Sequence, residues 1–410
     1  MRAIELRDPL RDLLRLHDQE LARGSSPAPG RGQRSAYAFE EVAATLSATT
    51  GARIGKRQVE ELAARAAQDF DDFYAARELA AEKTTDLLVL TFDGKGVPMR
   101  REHLRPETRK AAETTPRRLQ TRLTKGEKRH RKWMAQVAAV YTVAPHVRTL
   151  QDLLTELRPV RDAAKERQRP RPTNKLVWAS LEKEPEEVIS DAFDEALRRD
   201  PQKARPWIVL VDGNRDQLRL VKKAAKKRDV RITIIVDLIH VLEYLWKASY
   251  AFHPDGSKEA ESWVQQRLAW LLRGEHTKVR TNIRRNATAR SLDSTKLEPV
   301  RKCLRYLRGV RRFLAYNSAL AAGFPIATGV IEGVCRYLVK DRMEKTGARW
   351  STPGAEAVLR LRALRASGDF DAYWAFHLDR EHARHHRTRY ASETPPLPIP
   401  ALKPILRRVE

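Results

Sequence analysis

Apolar residues in this chain change their spacing along its length, first helical, then in short runs bounded by charge, then helical again. Residues 5–21 read as a short charged helix that runs into GSSPAPGRG at 24–32, a flexible linker by composition. Phe39, Val42, Ala43 and Leu46 share one helical face, Thr49, Thr50 and Gly51 interrupt it, and Val59, Leu62 and Ala66 resume it in a second helix. Lys56 and Arg57 open that second helix, where a recognition helix carries its groove-contacting residues. The pair is therefore either a helix-turn-helix or an ordinary helical hairpin.

Strand signals begin at residue 86. The apolar run 86–92 is followed by Asp93, Gly94, Lys95 and Gly96, and 97–99 reads as a return strand, which predicts a hairpin. Residues 134–143, 207–211 and 232–236 give three more strands, with helices expected over 182–199 and 217–228. Hairpin-type strands followed by helix, strand, helix, strand predict a mixed, five-stranded α/β sheet covered by helices. Beyond Val236 the spacing is helical, carrying Trp246, Trp263 and Trp270 to a break at Gly323 and Pro325. In the next helix Ile331, Val334, Cys335, Leu338 and Val339 form one buried stripe. The expected divisions are a charged helix and linker at 1–35, a helical DNA-binding domain at 36–84, a core at 85–240, a helical insertion at 241–322, a return to the core at 323–390, and a Pro-rich tail at 391–410.

Charge adds what the pattern lacks. Lys and Arg number 79 against 53 Asp and Glu, a net +26 on 410 residues that are 41% apolar. That apolar fraction builds a core, and such a charge suits work against a polyanion, nucleic acid before an anionic membrane surface. Residues 99–132 alone carry 13 Lys or Arg against 4 Glu and read as a basic insertion outside the core, with Arg117, Arg118 and Arg122 as phosphate contacts. No run of 18 apolar residues and no signal-peptide pattern occurs, so the expected location is the cytoplasm, on the nucleoid when DNA is bound. Cys303 and Cys335 stand 32 residues apart without a CxxC, which supports neither a disulfide framework nor a cysteine zinc site. His382, His385 and His386 lie among arginines and read as a basic face, and no GxxxxGK[ST] loop supports ATP chemistry.

Three carboxylates follow apolar strands. Asp93 before two glycines reads equally as a turn residue, since Asp-Gly is a common hairpin dipeptide. Asp212 and Asp237 repeat the arrangement at the ends of the next two parallel-type strands. If these strands are neighbours in that order, Asp212 lies about 5 Å from Asp93 and Asp237 about 10 Å, which makes Asp212 the better partner for sharing metal ions about 3.5–4 Å apart. Asp237 opens Asp237-Leu-Ile-His240, which also reads as a strand-end cap with a structural histidine. Glu332, on the first turn of the striped helix, is either a first-turn acid stabilised by the helix or the third hard oxygen ligand of a Mg²⁺ site.

The segments TFDGKGV (91–97), VDG (211–213), VDLIH (236–240) and ATGVIEGVCR (327–336) resemble the insertion-sequence transposases of the ISKra-four type. RQVEELA (57–63), FDDFY (70–74) and KTGARW (345–350) extend the resemblance over about residues 37–390. These are DDE enzymes with an RNase H-like core, similar in layout to Mutator-like transposases. The resemblance implies Asp93, Asp212 and Glu332 as the catalytic and metal-binding residues for two Mg²⁺ (or Mn²⁺) ions. It matches Asp237 and His240 to a signature near the site. It implies double-stranded DNA as partner, both terminal inverted repeats and target, with a homo-oligomer assembled on it. Arg53, Lys56, Arg57 and Gln58 are the expected base-reading residues, with Arg349 and Trp350 as further DNA contacts. The expected function is cleavage at transposon ends and strand transfer by the freed 3′-OH. The alternative is a catalytically silent, domesticated or regulatory protein that only occupies inverted repeats.

Overall fold

The computed structural model describes residues 39–78, 81–115, 130–156, 169–344 and 347–387. Five strands form one sheet: β1 (Leu87–Pro98), β2 (Lys132–Val143), β3 (Thr173–Ser180), β4 (Trp207–Val211) and β5 (Ile232–Val236). Their order is β3-β2-β1-β4-β5. β1, β2 and β3 are antiparallel neighbours, whereas β4 and β5 run parallel to β1. This mixed sheet is the RNase H-like arrangement, and Leu87 to Phe92 are buried without interruption, as in a strand covered on both faces.

In chain order the helices are α1 (Phe39–Thr50), α2 (Lys56–Ala66), α3 (Phe70–Ala76), α4 (Pro106–Thr114), α5 (Leu150–Glu156), α6 (Pro185–Arg199) and α7 (Arg215–Lys227). They continue with α8 (Leu238–Ser249), α9 (Lys258–Leu272), α10 (His276–Ala289), α11 (Ser294–Val310), α12 (Tyr316–Ala321), α13 (Gly329–Val334), α14 (Thr352–Ser367) and α15 (Phe370–His382). α6 packs on β1 and β2, with α7 beside it, α13 covers β1 and β2 as well, and the wider π-helical turn Cys335–Lys340 lies on β1 and β3. α14 lies on β3 and also receives α2. Ala43, Leu46 and Val59 form a small separate core between α1 and α2. Leu62, expected on that buried stripe, is 38% exposed, because α2 turns its Val59 and Ala66 inward instead.

Two strand expectations need correction. Asp93 to Gly96 make no hairpin: β1 is one strand whose register with β2 runs unbroken from Leu87 opposite Val143 to Pro98 opposite Lys132. Neither Gly94 nor Gly96 has positive φ, as the usual Asp-Gly hairpin turn would require. Their missing side chains instead admit Met134 and Lys132 of β2. The fifth strand is β3, which the sequence did not signal, because only Leu176 to Ala179 are consecutively apolar. The region 99–132 is also not wholly outside the core, since Met99 and Leu104 are buried. Arg117, Arg118 and Arg122 lie outside the described residues.

Candidate active site

β4 stops short of β1, and that mismatch creates the site. Thr91 pairs with Leu210, so continuing the parallel register by two residues brings Asp93 level with Asp212 at the open end of the sheet. Both are half-buried and line a cleft of about 310 Å³ with Gly94, Gln136, Asn214 and Gln217. Asp93 accepts the Gly94 N–H at 2.7 Å on one oxygen and the Cys335 thiol at 3.1 Å on the other. Asp212 accepts the Asn214 N–H at 2.7 Å, and Asn214 in turn caps α7.

The turn after Asp212 is held from behind by α11. Gly213 has φ +88°, and a Cβ there would stand 2.7 Å from Val310 and 3.2 Å from Tyr306. The Tyr306 hydroxyl donates to the Asp212 carbonyl at 2.7 Å, and the Tyr244 ring stacks on Tyr306 at 4.0 Å. Burial first, then the charge of Asp212, holds the Tyr306 phenol far above its ordinary range, so it stays a donor.

Glu332 arrives from the opposite direction on α13, which lies against β1 and β2. Its side chain is exposed, yet partial loss of water and the charges of Asp237, Asp93 and Glu243 raise its pKa, with His240 opposing them. Glu332 is thus drawn into one electrostatic group with Asp93 and Asp237. Cys335, three residues after Glu332, is buried, and burial together with Asp93 pushes its thiol up, which keeps it protonated. In the sequence Cys335 stands out only as a stripe residue, and its i+3 spacing from Glu332 is the one local sign of this role.

Asp237 is 2% exposed and caps α8 by accepting the Ile239 N–H at 2.9 Å. Its other oxygen receives the Thr328 hydroxyl, and its own N–H donates to the Val211 carbonyl at 2.8 Å. These bonds tie β4, β5 and the approach to α13 together, which is the cap role read as one option. His240 is half-buried with Nδ1 3.9 Å from Glu243.

Asp93 and Asp212 offer hard oxygen donors of the kind a divalent cation takes, side by side at one end of the sheet. Among the described residues, no three His, Cys, Asp or Glu side chains stand close enough together to hold one metal ion. The backbone places Asp93 and Asp212 together, whereas Glu332 remains apart.

The residues expected to meet DNA divide. Arg53, in the turn before α2, and Lys56, Arg57 and Gln58, at its start, are exposed, Arg57 pairing with Glu61 at 2.8 Å. Gln58 accepts the Gly55 N–H at 2.7 Å, so one of its amide atoms serves the helix cap. Arg349 is exposed. Trp350 is a correction: it is 5% exposed, donates Nε1–H to the Met343 carbonyl at 3.1 Å and meets Phe39 edge-on at 5.5 Å. A ring so enclosed holds α1 to the core and offers no face to DNA. His385 pairs with Glu381 at 3.3 Å rather than with a second histidine.

Among the described residues no helix is long and apolar enough to cross a membrane. No family model matches the chain, and no curated protein matches it. Among solved structures, the strand transfer complex of the Drosophila P element transposase is similar with a TM-score of 0.25 and 12% identity, over 93% of this chain and 87% of that one.

Proposed function

We propose that this chain is a DNA transposase of the DDE type, cutting at the ends of an insertion sequence and joining the freed 3′ end to target DNA. The observation that carries the reading is the register that sets Asp93 beside Asp212 in an open cleft. Asp93, Asp212 and Glu332 would hold two Mg²⁺ or Mn²⁺ ions, which supply an activated water and neutralise charge on the leaving 3′ oxygen. The chain's own groups set the geometry. Gly213 and Tyr306 fix the Asp212 turn, Cys335 orients one Asp93 oxygen, and the Asp237–Thr328 bond fixes the start of α13. No serine or tyrosine nucleophile is required, because water and then the 3′-OH attack directly.

The rival reading, a silent protein that only occupies inverted repeats, has one observation in its favour: the three carboxylates do not close around a single ion. Cleavage of a supercoiled plasmid bearing the element's ends separates the two. Asp93→Asn, Asp212→Asn and Glu332→Gln are each expected to lower Mg²⁺-dependent cleavage about 1,000-fold, the effect of removing several kcal/mol of charge stabilisation. End binding should persist. Asp237→Asn keeps a capping side chain and should retain cleavage. An active Asp212→Asn beside an inactive Asp237→Asn would reassign the second aspartate, and an inactive parent that binds ends would favour the rival.

A further inference from the structure

Residues 276–312, covering α10 and α11, carry 12 Lys or Arg and only Asp293 and Glu298 as acids. Both acids are engaged, Asp293 in capping α11 and Glu298 with Lys302 at 3.5 Å. The two helices pack through Val279, Ile283 and Ala287 against Val300, Cys303, Leu307 and Val310. That packing fixes where the next residues go. Arg280 and Arg284 follow the buried Val279 and Ile283 at i,i+4 spacing, and Arg308 on the last turn of α11 is followed at i,i+3 by Arg311 at its C-terminal cap.

Among the described residues none of these four arginines has a carboxylate within ion-pair distance. Arg280 is half-buried, and its Nε is enclosed without a hydrogen-bond partner. α10 packs on α11, which brings the four arginines onto adjoining elements, and burial, then the charges of Arg284, Arg308 and Arg311, lower the Arg280 pKa. An assembly of guanidinium groups without counter-charge costs stability unless an anion completes it, and planar N–H forks match phosphate oxygens two at a time.

Its position selects the anion. Val310 and Tyr306, on the helix that carries Arg308 and ends directly before Arg311, stand against Gly213 and the Asp212 carbonyl. The cluster is therefore a direct extension of the wall behind the candidate active site. We infer that Arg280, Arg284, Arg308 and Arg311 form a site for the sugar–phosphate backbone of duplex DNA, flanking the segment presented to Asp93 and Asp212. The inference rests on the transposase reading for the direction of the strand, and on the arginines alone for phosphate binding.

The test uses the full-length protein in EDTA, where cleavage is silent, with labelled duplex of random sequence and affinity measured against salt. Each phosphate contact contributes about 0.9 to the slope of log affinity on log salt. The double variant Arg308→Gln, Arg311→Gln is expected to flatten the slope by about 2 and to lose roughly tenfold or more in affinity at physiological salt. Its Tm should hold or rise, because repulsion is relieved. Arg308→Lys with Arg311→Lys should restore most of the slope. An unchanged slope overturns the site, as does a fall in Tm that accounts for the lost affinity. A loss confined to single-stranded RNA or anionic phosphatidylserine vesicles overturns duplex DNA as the ligand. Asp212→Asn should keep the parental slope, and a parent that shows the slope but no Mg²⁺-dependent cleavage faults the transposase reading and not the arginine site.

Discussion

Gly213 shows how one residue can be fixed by what stands behind it. Its φ of +88° disfavours any side chain, by about 1–2 kcal/mol for an L-residue, and Val310 leaves no room for a Cβ. Gly213→Ala should lower stability by more than that backbone cost, and Val310→Ala in the same chain should recover only the steric part in thermal unfolding. No recovery at all would mean that Val310 is not the obstacle. Tyr306 acts at the same turn. Tyr306→Phe removes the bond to the Asp212 carbonyl while keeping the stack on Tyr244, and should cost about 1 kcal/mol. If the bond positions Asp212, cleavage should also need more Mg²⁺ for half-maximal rate; a loss of stability with an unchanged Mg²⁺ requirement would make Tyr306 purely structural.

At the scale of elements, the junction of α3 with α15 turns on Asp69. Its carboxylate is 1% exposed and takes His377 at 2.6 Å, Arg380 at 3.3 Å and Arg384. Burial alone would raise its pKa, but the hydrogen bonds from Arg384 and His377 outweigh burial and hold it below its ordinary 3.8. Glu381, beside it, is lowered in the same way: burial opposes, and Arg384 prevails. A carboxyl lowered in the folded state adds stability above its unfolded pKa, and that stability is lost as pH falls through the folded value. Asp69→Asn should therefore cost about 2 kcal/mol at neutral pH, and the gap in Tm to the parent should narrow as pH drops below 3.8. A gap that stays constant with pH would assign the effect to shape instead of charge.

Across the whole molecule, the insertion is not a separate body. One continuous buried cluster joins Leu88 and Val209 of the sheet to Leu245, Ile283 and Leu307 of the inserted helices and to Leu359 of α14. Buried bonds cross the same boundary, as where the Tyr316 hydroxyl donates to the Val236 carbonyl at 2.8 Å. The sheet and the inserted helices should then unfold in one calorimetric transition, and Leu307→Ala should lower it as a unit. Two transitions, with only one of them shifted, would show that the insertion folds on its own.

The sequence determined the parts whose signal is local. β4 and β5 were legible to the residue because each is a five-residue run, apolar but for Thr233, closed by an aspartate, and the strip from Ile331 to Val339 was legible from helical spacing. Asp93, Asp212 and Glu332 were singled out by their place after strands or on a first turn, and the strand order β1-β4-β5 that was assumed for them is the order of the sheet. Other features were settled between segments far apart in the chain. Asp93 to Gly96 carry every local mark of a turn, yet twelve residues of β2 pair straight through them, and a ladder of that length outweighs a turn preference. β3 has only four consecutive apolar residues and is a strand because β2 offers it an edge. Trp350 was expected at DNA with the resemblance of 345–350, and it is buried instead, its ring edge-on to Phe39 and its backbone bridged to Met99. The uncompensated arginines of α10 and α11 belong to the same class: spacing sets each pair on its helix, and only the packing of Val279 and Ile283 against α11 gathers the four together. Local patterns fix which element a residue joins, whereas pairing across hundreds of residues decides what that residue faces.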